Sequence, residues 1–140
     1  MASPQIFRVD QAATFEAVAV LQVGPKTAFR SDEQLRADSG KGELKWEGEF
    51  NVAFMGFGGK RQFSIMKVGF VGPRNPGDGV PPYTPVQLVG LEVGVMDKTV
   101  TDKTTGEVRT VGAQVWYRAE GMQPAVPVAS GGRGKAAEAA

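Results

Sequence analysis

The chain has 140 residues, enough for one folded domain that buries roughly two thirds of its unfolded surface without disulfides or metals. It contains no cysteine and no histidine, which excludes a disulfide-stapled secreted scaffold, thiolate metal sites and every Ser-His or Cys-His nucleophile. Sixteen basic residues against fifteen acidic ones leave a net charge of +1, too small to attract nucleic acid by itself, so any basic site has to be local.

Met1 to Asp10 carries Pro4, Arg8 and Asp10 and lacks the apolar stretch of a signal peptide. No later apolar run approaches the ~18 residues of a membrane span, so neither export nor membrane insertion is expected and the cytoplasm is the default compartment. From Phe15 to Tyr117, stretches rich in Val, Phe and Gly alternate with turn signals and show no helical periodicity, which predicts an all-β domain. A first strand is expected at Phe15–Val23, ended by Gly24-Pro25. Ser31 to Ala37 reads either as a short helix capped by Ser31 or Asp32 or as plain loop.

The clearest period-two signal is a second strand, Leu44–Met55, where Trp46, Phe50, Val52 and Phe54 alternate with Lys45, Glu47, Glu49 and Asn51. A third strand, Gln62–Val71, is expected to pair antiparallel with it across Gly56-Phe57-Gly58-Gly59-Lys60-Arg61. Gly72 to Pro82 carries four prolines, which remove backbone donors and fix φ, so a long rigid loop follows. A fourth strand, Pro85–Met96, and a fifth, Thr110–Ala119, flank a hairpin whose tip Asp102–Glu107 places Gly106 in a left-handed position. The domain therefore covers residues 1–122. Residues 123–140, rich in Pro, Ala, Gly and Ser, are too poor in large apolar groups to offset the entropy of ordering them and read as a disordered tail.

Without histidine, catalysis would rest on carboxylates and lysines alone, and their spacing fits no calcium loop or metal-dependent nuclease. The chain is therefore read as a binding protein with no catalytic residues, no metal and no cofactor. Gly56–Arg61 lacks the Walker spacing and lies between strands, so it reads as a hairpin connection and not as a phosphate cradle, although it presents Phe57, Lys60 and Arg61 at an exposed tip.

Aromatic and basic residues interleaved on strands carry more information, because stacked rings and cations together bind single strands without reading their sequence. Alternation on the fifth strand puts Gln114, Trp116 and Arg118 on one face and Val115 and Tyr117 on the other. Trp116 reads either as a rim residue covering the barrel or as a stacking surface. Trp46 shares the face of Phe50 and Phe54, so core packing competes with a binding role, and Lys45 then faces the other side. Lys67 falls among Phe63 and Ile65. Between Lys41 and Arg74, six basic residues stand against three acidic ones, making the middle of the chain locally basic.

Three meander strands, a long connection and a closing hairpin make the order of an OB-fold, a five-stranded Greek-key barrel. With Glu43-Leu44-Lys45-Trp46, Pro85 to Met96 and Val115-Trp116-Tyr117-Arg118-Ala119-Glu120-Gly121-Met122, the sequence resembles OB-fold single-stranded-DNA-binding proteins. Within that group it looks most like the small replication- or transfer-associated proteins of actinobacterial plasmids, integrative elements and phages. The resemblance implies single-stranded DNA as ligand, a homo-oligomer, and replication or transfer proteins as partners. It implies a site drawn from Lys45, Trp46, Phe57, Lys60, Arg61, Lys67, Trp116 and Arg118. The tail lacks the acidic segment with a terminal aromatic that bacterial single-strand-binding proteins carry. The competing reading is a structural or protein-interaction β-module, such as a phage virion or assembly component, which the near-neutral charge favours.

Overall fold

The computed structural model describes residues 5–125 and is built almost entirely from strands. The strands are β1 (Ile6–Arg8), β2 (Ala17–Pro25), β3 (Lys45–Met55), β4 (Arg61–Val71), β5 (Val86–Val89), β6 (Glu92–Thr101), β7 (Val108–Arg118) and β8 (Gly121–Pro124). Six of them form one curled sheet in the order β1-β6-β7-β4-β3-β2, and β5 pairs with β8 in a second, two-stranded sheet.

The expected meander is present. β3 and β4 pair antiparallel over their whole length, from Lys45 opposite Val71 to Met55 opposite Arg61, and β2 lies antiparallel on the other side of β3. Phe50 and Val52 are buried together, with Trp46 and Phe54 packed against the same core, as the alternation predicts. From β4, Met66, Val68 and Phe70 enter that core, and from β2, Val18 and Val20 do so. A bulge between Val20 and Gln22 resets the register, so that Val23 also packs against the core while Gln22 stays outside beside Glu49.

The chain returns through β7, which runs parallel to β4 only where Val68 meets Tyr117 and Gly69 meets Arg118. β6 and β7 form the expected long hairpin. Asp102 Oδ1 accepts from the Thr104 and Thr105 amides, and Gly106 takes φ +72 at the tip.

Several expectations are corrected. Eight strands form among the described residues where five were expected, because the stretch Pro85–Met96 is broken at Gly90, whose φ of +64 turns the chain, and because β1 and β8 add to the edges. The boundary at Met122 falls inside β8, where Gln123 pairs with Gln87 and Pro124 with Val86. The rest of the expected tail, 126–140, lies outside the described residues. Ser31 to Ala37 is not helical: Thr27 bridges Gln34 and Arg36 bridges Leu44, and the Ser31 hydroxyl accepts from the Glu33 amide, fixing a bend in place of a helical turn. The Pro-Gly loop is irregular, as expected, and Asn75 anchors it by donating to the Val23 carbonyl.

Candidate nucleic-acid interface

The outer face of the sheet carries the side chains that alternate with the core. The register aligns them in rows across the strands: Glu92, Arg118, Gly69 and Glu47 in one row, with Gly94 opposite Trp116 in the next. Strand alternation thus separates Trp116 and Arg118 from Tyr117, which packs against the core. Lys45 and Lys67 lie on the same outer face, Lys67 opposite Glu49 and Lys45 opposite Val71.

Trp116 lies flat on the sheet because its cross-strand partner is a glycine. A Cβ at Gly94 would sit 2.1 Å from Cε2 and Cζ2 of the indole, so the ring occupies the place of that missing side chain and covers Gly94. The Arg118 guanidinium carbon lies 5.3 Å from the ring centroid, within cation–π range, and its Nε donates to Glu92 Oε1 at 2.7 Å. Glycines at 69 and 94 keep both sides of this pair low, and a groove of about 690 Å³ opens along it. Lys26, Lys45, Lys67 and Arg118 line the groove, as do Glu47, Glu92 and Glu120. Only Arg118 of these cations is held in an ion pair among the described residues, so three lysines remain to meet an anionic ligand.

The sequence-predicted residues thus divide into two groups. Lys45, Lys67, Trp116 and Arg118 come together in the groove. Trp46 borders it, but its ring packs on the core side and its Nε1 donates to the Gly72 carbonyl at 2.9 Å, so it does not offer the free face that stacking requires. Phe57, Lys60 and Arg61 occupy the turn at the far end of β3 and β4, ten residues or roughly 30 Å along the strand from Lys45. Phe57 is fully exposed there. Arg61 donates from Nε and Nη2 to the two carboxylate oxygens of Glu16 at 2.6 and 3.2 Å, and this hydrogen bonding, with the Coulomb attraction, lowers the Glu16 pKa and raises that of Arg61.

Lys26 lines the groove and Gly94 lies against the Trp116 ring, and neither was singled out by sequence. Gly94 had a signal, a small residue in an apolar strand, but its meaning depends on the register that sets it opposite Trp116. Among the described residues no group of three or more acidic side chains converges as a metal would require, and no helix is long and apolar enough to cross a membrane. The chain matches no protein-family profile and no curated protein.

Proposed function

We propose that this protein binds single-stranded DNA on the outer face of an OB-like barrel, without catalysis, in the cytoplasm and as a homo-oligomer supporting replication or transfer of a mobile element. One observation carries the reading: Trp116 and Arg118 lie together on the solvent side of the sheet, beside three lysines free of ion pairs among the described residues. Such a combination offers a stacked indole and guanidinium surface to a base and cations to the flanking phosphates.

The strand order supports the OB-like part. β2, β3 and β4 form an antiparallel meander, β7 returns parallel to β4, and β6 lies antiparallel to β7. The segment before β5 comes back to β2, with Ala19 bridging Pro85 and the Val20 amide donating to the Thr84 carbonyl at 3.0 Å. With β5 and β6 taken as one interrupted strand and β1 and β8 as additions at the edges, we read these pairings as the five-strand Greek-key order, in which the second and third strands and the neighbouring loops bind oligonucleotides. Here those elements are β3, β4 and the 26–44 connection, whose Lys26, Lys45 and Lys67 line the groove.

Tryptophan fluorescence titrated with oligo(dT) over a range of salt tests the reading. Binding quenches Trp116, and affinity falls with rising salt by a log–log slope of about 0.7 per phosphate contact. Trp116→Ala weakens binding by about 1–3 kcal/mol without unfolding the protein. Absence of binding by the wild type at low salt overturns the proposal and assigns the aromatic face to a protein interface.

A further inference from the structure

The 26–44 connection opens with a small hairpin whose base belongs to the groove. Lys26 donates to the Lys45 carbonyl, Leu35 to the Lys26 carbonyl and Lys45 to the Leu35 carbonyl, at 3.1, 2.8 and 2.8 Å. The stem continues through Thr27 opposite Gln34 and the Ala28 amide on the Glu33 carbonyl at 3.0 Å. Phe29 and Arg30 form the tip, roughly 10 Å of extended chain beyond the groove's Lys26.

Three properties of this tip are unusual together. Phe29 leaves 87% of its surface in water, so its ring is presented to whatever enters beside the groove. The Arg30 guanidinium carbon sits 5.1 Å from its ring centroid, close to the 5.3 Å of the Arg118 and Trp116 pair. Arg30 also holds φ at +55, a region that residues with a Cβ enter at a cost and that concentrates at functional turns. The bend is secured by the Ser31 amide donating to the Ala28 carbonyl and the Glu33 amide to the Ser31 hydroxyl.

We propose that Phe29, backed by Arg30, is a second stacking platform for the same single strand, extending the track that begins at Trp116. The inference rests on the nucleic-acid reading of the groove. Phe29 carries no charge, so it adds a ring to the track and no phosphate contact of its own. Substitution of Phe29 therefore shortens the binding site and leaves the salt slope unchanged.

The test uses the full chain with oligo(dT) of ~4 and ~16 nucleotides, the limits of the site sizes of a single OB domain, and reads Trp116 quenching. Phe29→Ala is expected to bind the short oligonucleotide within twofold of wild type and the long one about 5- to 150-fold more weakly, the range set by one lost stack. Phe29→Tyr restores the long-oligonucleotide affinity and Phe29→Leu does not. An exposed side chain leaves the melting temperature unchanged in all three variants. Wild-type affinity of Phe29→Ala for both lengths, or full activity of Phe29→Leu, overturns the second platform and leaves the groove reading intact. Failure of the wild type to bind either length removes the groove reading itself.

Discussion

Gly94 shows how one absent side chain shapes the site. The Trp116 indole fills the space over it, so Gly94→Ala puts a methyl group 2.1 Å from the ring, and the ring has to lift. The expected result is a red-shifted Trp116 emission and an oligo(dT) affinity reduced by about 1–3 kcal/mol, comparable to loss of the stack. An unchanged spectrum would show that the glycine does not position the ring. At the far end of the sheet, Glu16 titrates below its ordinary value because Arg61 donates to both of its oxygens. With the folded pKa depressed, the pair's contribution is present at neutral pH and is lost as pH falls through the Glu16 pKa. Both partners are solvent-exposed, so the stability effect is small. An NMR titration is expected to give a Glu16 midpoint that rises in Arg61→Gln. The face of Trp116 was legible in the sequence because strand alternation is local. The role of Gly94 was not, since it arises from a pairing between residues 22 positions apart.

At the scale of elements, β2, β3, β4 and the β6–β7 hairpin were legible because each has nine or more residues with alternating apolar positions between clear turns. β1, β5 and β8 have three or four residues, too few to establish a period, and their pairing is decided by partners elsewhere in the chain. β8 has a definite role despite its length. It covers β5, whose Val86 and Leu88 are buried, Met122 packs against the core, and the Ala125 amide donates to the Pro85 carbonyl at 3.0 Å. A chain ending at Ala125 is therefore expected to melt well above one ending at Glu120. Met122→Ala is expected to cost about 1–2 kcal/mol, below the range for a fully buried methionine because Met122 is only half-buried. Equal melting temperatures for the two truncated chains would mean that β8 is dispensable.

For the whole molecule, the order of three meander strands followed by a closing hairpin was legible in the spacing of turns, whereas the way the hairpin leaves the sheet was not. β1 and the Gln5 carbonyl before it cover β6 only over Glu92–Val95, and β4 pairs with β7 only at Tyr117 and Arg118. From Met96 to Gln114 the hairpin is thus a two-stranded ribbon without a neighbouring strand, and such ribbons are marginally stable alone in water. Among its charged and polar residues it nevertheless exposes apolar ones: Met96, Val100, Val108 and Val111 along its length, and Val95 and Val115 at its base. Exposed apolar residues concentrated on one arm mark an interaction surface, and the proposed homo-oligomer supplies its partner. Sedimentation at micromolar concentration is therefore expected to give a mass that is a multiple of the 14.8 kDa protomer. Val108→Lys combined with Val111→Lys should return it to the protomer with little change in melting temperature, since neither side chain belongs to the core. Oligo(dT) binding by the groove should survive in that variant, because the two valines lie outside the groove lining. A protomer mass for the wild type at every concentration would remove self-association as the reason for the apolar arm and leave it for a different protein.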